Sequence, residues 1–278
     1  MKIFLTGGSG FIGKVFIKEA LRRKHFIYAI TRKYMKKKKT KNLTWLRGEI
    51  DKDWSKYLKK SDVLVHMAAA GVNNKTSLKN AIKINVLKPT RLLINAKKSN
   101  CNNWVIIGSA SEYGRQAIKK TKLSNRTIEL PSTSYEKTKY LFSKTSIFLS
   151  KKFKTNCRIL RLFNVYGDGE NSKRLWPSLK NAARNNKNFE MTDGKELRDF
   201  ISVGEASKKI LQACNFKIKN ESFPQIWHIA SGKAVTVKSF AKKKWKEFSA
   251  KGKIFFGKIK ISSKMNYISE KKSIWSLK

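Results

Sequence analysis

Cysteine is scarce in this chain, and long hydrophobic runs are missing. The 278 residues include only Cys101, Cys157 and Cys214, which are far apart in sequence. An odd number of distant cysteines argues against a disulfide framework and against a zinc site, so we expect three buried free thiols and no metal. No apolar stretch approaches the roughly 20 residues that a membrane-spanning helix needs, and the first residues show no signal-peptide pattern. We therefore expect a cytoplasmic protein without a membrane span.

Proline is also rare, and no linker or internal repeat interrupts the chain. There are four prolines, while 40% of the residues are hydrophobic, which is sufficient for a core. A length of 278 residues fits one large α/β domain or two small ones. Without a Pro/Gly/Ser-rich linker, the second half is expected to pack on the first as a smaller lobe.

Acidic residues are few relative to basic ones. There are 18 Asp and Glu against 63 Lys and Arg, which gives a formal net charge of +45. A strongly basic surface attracts polyanions such as nucleic acid. However, the charge is mostly lysine spread along the whole chain, a profile typical of an AT-rich genome. We favour this compositional origin and do not expect specific nucleic-acid binding.

Apolar, β-branched runs alternate with longer helical patterns, which predicts βαβ units in a parallel sheet. Predicted strands cover 2–6, 26–31, 43–47, 62–67, 104–108, 157–162, 199–202 and 226–230. Predicted helices cover 11–23, 77–98, 134–152, 176–185, 203–214 and 237–249. The expected fold is a Rossmann-type, doubly wound parallel sheet over residues 1–165, with a smaller C-terminal lobe over 166–278. A segment near 198–232 is expected to return to the sheet.

A glycine pattern follows the first predicted strand. Gly7, Gly10 and Gly13 are spaced three residues apart, and Phe11 and Ile12 open the first predicted helix. The first glycine permits a tight turn, the second lets the backbone approach a pyrophosphate, and the third allows close contact between helix and strand. The pattern therefore predicts a dinucleotide-binding turn.

The end of the second predicted strand bears on the choice between NAD and NADP. An acidic residue there would bind the adenosine ribose, whereas a nearby Arg accommodates a 2′-phosphate. Here the strand is followed by Arg32 and Lys33, without an acid, and then by four lysines at 36–39. We expect NADP in preference to NAD, with Arg32 at the 2′-phosphate.

Tyr135 and Lys139 are four residues apart on a predicted helix, so their side chains share one face. A free Tyr has a pKa near 10, which is too high for efficient proton exchange at neutral pH. A neighbouring ammonium group and an oxidised nicotinamide ring would both favour the phenolate and lower that pKa. Together with Ser109 and the glycine turn, this pair predicts a nicotinamide-dependent enzyme.

At this point the chain resembles the extended short-chain dehydrogenase/reductases, in the NAD-dependent epimerase/dehydratase branch that acts on nucleotide sugars. The resemblance covers nearly the whole chain through an ordered series of motifs. These motifs are residues 6–13, 66–70, 85–86, 108–114, Tyr135 with Lys139, 160–167, 198–200 and 227–232.

The resemblance implies a role for each matching residue. Tyr135 would be the acid/base, Ser109 would hydrogen-bond the reacting sugar oxygen, and Lys139 would lower the Tyr pKa and bind the nicotinamide ribose. Further cofactor contacts are expected from Glu49, Ile50, Ala68, Ala69 and Asn85. Substrate contacts are expected from Ser111, Asn164 and Arg198, the last two at the diphosphate of a nucleotide sugar. His66 is expected beside the cofactor phosphates, and a homodimer through the long helices is usual in this family.

Departures from the family's pattern reduce the number of reactions that this chain is expected to catalyse. Dehydratases of this branch carry an Asp-Glu or Ser-Glu pair just after the residue with the catalytic hydroxyl. This chain has Ala110 and Ser111 at those two positions. Glu112 lies one place further on and is expected to face elsewhere. Inversion at C3 or C5 needs an additional Cys and His, which have no counterparts in suitable loops. Elimination and C3/C5 epimerisation are therefore both disfavoured.

Three functions are consistent with these residues. The first is reduction of a 4-keto nucleotide-diphosphate sugar with NADP. The second is 4-epimerisation of a nucleotide sugar with tightly bound NAD. The third is a non-catalytic, RNA-binding role, which the complete set of Ser109, Tyr135 and Lys139 argues against.

Overall fold

A parallel sheet with helices on both faces organises the first part of the chain. The computed structural model describes residues 1–33, 39–70, 76–119, 122–216, 223–260 and 265–275. Its first elements are β1 (Lys2–Thr6), α1 (Phe11–Arg22), β2 (Phe26–Thr31), β3 (Lys39–Thr40), β4 (Leu43–Arg47), α2 (Ser55–Leu58) and β5 (Val63–His66). They are followed by α3 (Leu78–Ile82), α4 (Lys88–Lys98), β6 (Asn103–Ser109), α5 (Gln116–Lys119), α6 (Ser134–Phe153) and β7 (Asn156–Leu162).

The chain then enters a second lobe and returns once to the sheet. The lobe elements are β8 (Asn164–Tyr166), α7 (Leu175–Arg184), β9 (Phe189–Met191), β10 (Leu197–Ser202), β12 (Ala234–Thr236), α9 (Val237–Glu247) and β13 (Ile254–Phe256). Helix α8 (Val203–Ala213) and strand β11 (Gln225–Ile229) lie between β10 and β12 in sequence. Helix α8 packs on α1, and β11 pairs in parallel with β7.

The strand order of the main sheet is β11-β7-β6-β5-β1-β2-β4-β3. Every pair is parallel except β3 with β4, which is antiparallel at the edge. The chain runs outward from β1 in one direction through β2 and in the other through β5. Ligands of open α/β sheets bind at such a switch point, outside the carboxyl ends of the strands. The predicted Rossmann-type parallel sheet is confirmed.

Alternate side chains of β1 are buried on opposite faces of the sheet. Ile3 and Leu5 point into a buried cluster with Phe16 of α1 and Ile210 of α8, whereas Phe4 joins a cluster on the opposite face. Successive strand residues point to opposite faces, so a strand buried on both sides reads as one continuous apolar run. This is the pattern that predicts the central strands.

The helix predicted over 77–98 contains a π-helical turn at Lys83–Leu87 between α3 and α4. Pro89 lies two residues after that turn and lacks an N–H group, so it cannot donate to the Asn85 carbonyl four residues earlier. A π turn is one way in which a helix accommodates such a missing hydrogen bond. The irregular turn places Asn85 at the carboxyl edge of the sheet.

The second lobe has two small sheets. β12, β10 and β8 form one sheet, and β13 and β9 form the other. Leu179 of α7, Ala241 of α9 and Met191 of β9 make a buried cluster of their own. The division of the chain at residue 165 stays a prediction.

Three further expectations concern the cysteines, membrane spans and the lysines after β2. Cys101, Cys157 and Cys214 are buried free thiols. Within the described ranges, no helix is long and apolar enough to cross a membrane. Lys36, Lys37 and Lys38, three of the four lysines invoked for NADP, lie outside the described residues.

Candidate active site

The glycine turn joins β1 to α1 in a shape that side chains would block. Gly7 has a φ of +76°, and a Cβ on it would lie 2.7 Å from the Ala68 backbone nitrogen. A Cβ on Gly13 would lie 2.2 Å from the Gly7 carbonyl oxygen. The Gly10 N–H donates to that same oxygen (3.0 Å), and α1 begins at Phe11 with no side-chain cap on Gly10. The first turn of α1 therefore presents backbone N–H groups to an anion, which fits a dinucleotide pyrophosphate.

Thr6 fixes the segment opposite this turn. Its hydroxyl hydrogen-bonds His66 Nδ1 (2.8 Å) and accepts the Met67 and Ala68 N–H groups (both 3.2 Å). Burial and, after it, the charge of Lys139 lower the pKa of His66 to about 3. His66 is therefore neutral at physiological pH and links the ends of β1 and β5, rather than adding positive charge. Ala68 is half-buried beside Gly7, and Ala69 is exposed.

The residues expected at the adenosine lie at the ends of β2 and β4. Arg32 and Lys33 are both exposed directly after β2. Glu49 has a side chain 52% exposed and pairs with Lys88 of α4 at 2.6 Å. Ile50 is half-buried and packs on the core beneath it. An exposed cation pair therefore stands where the 2′-phosphate is expected, and the Glu49 carboxylate is engaged by a lysine.

Asn85 connects the loop after β5 with the helix that carries Tyr135. Its Oδ1 accepts the Ala70 N–H (2.8 Å), and its Nδ2 donates to the Ala70 carbonyl (2.9 Å) and to Thr138 Oγ1 (3.1 Å). The side chain is buried, so these bonds hold two elements in a fixed relation. Asn85 thus joins the loop after β5 to α6, and its contact with the cofactor stays a prediction.

Helix α6 begins at Ser134 because Thr133 and Glu136 cap it reciprocally. The Thr133 hydroxyl accepts the Glu136 N–H (3.3 Å), while Glu136 Oε2 accepts the Thr133 N–H (3.1 Å). Tyr135 therefore lies in the first turn, and Lys139 lies one turn later on the same face. Lys139 is buried, and its Nζ donates to the Ile107 carbonyl of β6 (2.5 Å).

Tyr135 and Ser109 meet at the carboxyl end of β6. Burial and, after it, the charge of Glu112 raise the pKa of Tyr135 to about 12, against a hydrogen bond with Ser109 and the charge of Arg174, which act to lower it. Burial lowers the pKa of Lys139, while Glu112 raises it. The Ser109 and Ser111 hydroxyls lie 2.8 Å apart. The structure thus brings Ser109, Tyr135 and Lys139 together, with Ser111 beside them.

Glu112 points into the protein and away from this cluster of hydroxyls. It is completely buried, and its Oε1 accepts the Ser109 N–H (2.8 Å). Its Oε2 accepts from Arg161 Nε (3.1 Å). Both carboxylate oxygens are thus occupied inside the protein.

Asn164 and Arg198 lie on neighbouring strands of the second lobe. β8 and β10 pair in parallel, and Asn164 Nδ2 donates to the Asp199 carbonyl (3.4 Å). The Arg198 guanidinium lies 5.2 Å from the centre of the Tyr267 ring, and burial lowers its pKa.

Two functional candidates in the loop after β8 were missed by the sequence analysis. Arg174 is the last residue of this loop before α7, and its positive charge acts to lower the pKa of Tyr135. Glu170 has a buried Oε2 without a hydrogen-bond partner among the described residues, and burial raises its pKa to about 7. The same loop passes Phe11, since a Cβ on Gly169 would lie 3.7 Å from that ring. Their only signal in the sequence is that Glu170 lies four residues before Arg174, which itself precedes α7. This signal is weak, because a loop has no periodicity from which the positions of its side chains could be predicted.

Comparisons with known proteins bear on the family and the fold. The profile of the NAD-dependent epimerase/dehydratase family matches residues 3–230. A putative UDP-glucose 4-epimerase of Methanocaldococcus jannaschii is 27% identical, over 84% of this chain and 78% of the relative. CDP-abequose synthase of Salmonella muenchen is 25% identical, over 93% of this chain and 84% of the relative. The solved structure of MoeE5 with UDP-glucuronic acid and NAD has a TM-score of 0.85 at 21% identity, covering 98% of this chain and 91% of MoeE5.

Proposed function

Because the chain belongs to the NAD-dependent epimerase/dehydratase family of enzymes, we propose that it reduces the 4-keto group of a nucleotide-diphosphate sugar. The observation that carries this proposal is that Ser109, Tyr135 and Lys139 converge at the carboxyl end of β6, whereas both carboxylate oxygens of Glu112 are occupied. A carboxylate held by the Ser109 N–H and by Arg161 is not free to remove a proton from a sugar carbon. With Ala110 and Ser111 in the preceding positions, the site has the groups for hydride chemistry but lacks the acidic pair for elimination.

Some residues of the site would bind the cofactor, and others would transfer a proton. The N–H groups at the start of α1 would bind the pyrophosphate, and Lys139 would bind the nicotinamide ribose. A bound reduced nicotinamide supplies the hydride for C4. Tyr135 donates its phenolic proton to the oxygen that becomes the C4 hydroxyl, and Ser109 donates a hydrogen bond to the same oxygen. The Lys139 ammonium stabilises the phenolate that remains.

The substrate is proposed to lie between the sheet and the second lobe. Asn164 and Arg198 would bind the diphosphate, and Arg174 adds a cation at the same entrance. Ser111 would contact the sugar through the hydroxyl that faces Ser109. Two uncharged polar side chains and two cations suit a sugar attached to a diphosphate.

The same three catalytic groups suit 4-epimerisation, which is the second candidate. The M. jannaschii relative carries that name. An epimerase oxidises and then reduces C4 with the same cofactor molecule, so it retains NAD and consumes no reduced cofactor. The reductase instead uses one reduced cofactor for each turnover.

This difference defines the experiment. The protein is incubated with CDP- and dTDP-linked 4-keto-6-deoxyhexoses plus NADPH or NADH, and separately with UDP-glucose. Absorbance at 340 nm reports cofactor consumption, and chromatography reports conversion of the sugars. We expect stoichiometric oxidation of reduced cofactor with a 4-keto sugar. Interconversion of UDP-hexoses without net oxidation, together with co-purified NAD, would assign the epimerase instead.

We also propose NADP as the preferred cofactor, on the basis of Arg32. Arg32→Asp is expected to reverse the preference for NADPH over NADH, because a carboxylate repels a 2′-phosphate and accepts from ribose hydroxyls. The ratio of the two Kd values should change by about tenfold or more, and the wild-type preference should shrink at high salt. Calorimetry measures both constants. The control is Arg126→Asp, since Arg126 is an exposed cation near β11 at the far edge of the sheet. Equal affinities in the wild type would contradict the proposal.

We propose that two copies of the chain associate through α4 and α6. Leu141 and Phe148 of α6 are 42% and 63% exposed, and Leu87, at the end of the π turn that leads into α4, is 53% exposed. Leu141 and Phe148 are seven residues apart, so they share one helix face. Exposed apolar side chains on adjacent helices are typical of an interface.

Phe148→Glu is therefore expected to convert a dimer into a monomer, because it would bury a charge at the interface. Light scattering coupled to gel filtration measures the mass. Ile128→Glu is the matched control, since Ile128 is 70% exposed outside these helices. A wild-type monomer, or an unchanged mass for Phe148→Glu, would reject this interface.

A further inference from the structure

A buried chain of charges runs beneath Ser109. Glu112 and Arg161 have fully buried side chains, and Arg161 Nε lies 3.1 Å from Glu112 Oε2. Arg161 Nη2 lies 2.5 Å from Glu129 Oε1, and the other Glu129 oxygen lies 3.3 Å from Lys144. Burying such charges costs several kcal/mol per ion unless each is paired. Apolar side chains would fill the space without that cost.

The strand that ends at Ser109 is shaped around this carboxylate. A Cβ on Gly108 would lie 2.7 Å from Glu112 Oε1 and 3.2 Å from Arg161 Cγ. The glycine therefore makes room for the acid. Oε1 then reaches the Ser109 N–H, while the Ser109 hydroxyl accepts the Ser111 N–H (3.2 Å) in a reciprocal cap. The direction of the Ser109 hydroxyl thus depends on the turn that Glu112 closes.

The charge of Glu112 also acts on the two other catalytic groups. After burial itself, it is the main influence raising the pKa of Tyr135, and it raises the pKa of Lys139 against the effect of burial. The other charge that faces Tyr135 is Arg174, which acts in the opposite direction. Arg161 faces Glu112 from β7 and is itself balanced by Glu129.

We propose that Glu112 is a positioning residue, which fixes Ser109 through the Ser109 backbone N–H and places a negative charge near Tyr135. This inference rests on the proposed roles of Ser109, Tyr135 and Lys139. Glu112 touches neither substrate nor cofactor, so its effect is transmitted through those three residues.

The test compares two carboxylates that share one arginine. Glu112→Gln removes the charge and the matched bond to Arg161, whereas Glu129→Gln removes a similar charge without touching Ser109. Protein labelled with ¹³C at tyrosine Cζ is titrated by NMR with saturating NAD⁺ or NADP⁺, and Tyr135→Phe identifies the Tyr135 signal. We expect Glu112→Gln to move the Tyr135 titration to lower pH by about one unit or more. Glu129→Gln should move it by less than half as much.

Turnover provides a second readout on the substrate found by the assay above. Glu112→Gln should lower kcat by about tenfold or more, with a smaller change in KM, because Ser109 is misdirected. Glu129→Gln should stay within about threefold of the wild type. An unchanged Tyr135 titration and an unchanged kcat in folded Glu112→Gln would overturn the proposal.

Glu112→Asp keeps the test decisive if Glu112→Gln does not fold. It retains the charge but shortens the reach to the Ser109 N–H. We expect a lower kcat with a Tyr135 titration close to that of the wild type, and a wild-type kcat would reject the positioning role. Tyr135→Phe separates this failure from failure of the proposed function. If Tyr135→Phe is inactive while the Glu112 variants behave as wild type, only the role of Glu112 is wrong.

Discussion

Tyr135→Phe is expected to lower kcat by about 10²–10⁴-fold, the usual contribution of a general acid or base. The substitution removes only the phenolic oxygen, so the ring still fills the half-buried space in the first turn of α6. The affinity for NADPH should change little, because the glycine turn and Lys139 are untouched. Stopped-flow or steady-state absorbance at 340 nm measures turnover, and calorimetry measures the cofactor Kd.

The pH dependence has a definite sign. Burial first, and then Glu112, raise the pKa of Tyr135 to about 12 without bound ligand. The phenol is therefore protonated throughout the neutral range, as an acid for carbonyl reduction must be. The positive ring of an oxidised nicotinamide favours the phenolate, so it lowers this pKa when sugar oxidation is measured. Reduction should thus lose activity only as the pH rises, whereas the reverse reaction should lose activity as the pH falls.

Tyr140→Phe is the control for Tyr135→Phe. Tyr140 lies on the same helix, is half-buried and has Lys144 over its ring at 5.2 Å. It loses the same oxygen atom without any link to Ser109, so its kcat should equal that of the wild type. Full activity of Tyr135→Phe on any substrate that the enzyme turns over would end the assignment of Tyr135.

The predictions from sequence succeeded where the burial of an element determines its pattern of apolar residues. The strands of the sheet are buried on both sides, so they appear as apolar runs, and their bounds differ from those predicted by about a residue. β8, β9, β12 and β13 have three residues each. Such a strand is too short to show a period, which is why none of these four strands was predicted. The π turn was not foreseen, because a helical pattern continues through it.

The site was predictable where chemistry depends on local spacing. The glycines of the turn and the pair of Tyr135 and Lys139 each lie within a few residues, so their geometry follows from one turn or one helix. Glu170 and Arg174 depend on how a loop of the second lobe folds back, which no local spacing encodes. Glu112 gives the clearest case, because its partner Arg161 is 49 residues away. The sequence could indicate that Glu112 turns away from the substrate, but not which groups it holds.

The glycine turn gives the second large effect. Gly13→Ala is expected to raise the Kd for NADPH by about 10- to 100-fold and to destabilise the protein by about 1–3 kcal/mol. The added Cβ would lie 2.2 Å from the Gly7 carbonyl oxygen and 2.7 Å from Gly8 Cα. Both neighbours are backbone atoms, so they can move aside only if β1 and α1 separate. That separation would displace the N–H groups that are proposed to bind the pyrophosphate.

Two other glycines show whether the effect belongs to this contact. Gly204→Ala in α8 meets no atom within 4 Å, so it should leave cofactor binding unchanged and keep or slightly raise the melting temperature. Gly10→Ala would place its Cβ 3.2 Å from the Gly7 oxygen, a tight contact that a small shift relieves. The loss of affinity should therefore follow the order Gly13, Gly10, Gly204, measured by calorimetry on protein shown to be folded by circular dichroism. If Gly13→Ala bound NADPH as well as Gly204→Ala does, the pyrophosphate would have to lie elsewhere than at the start of α1.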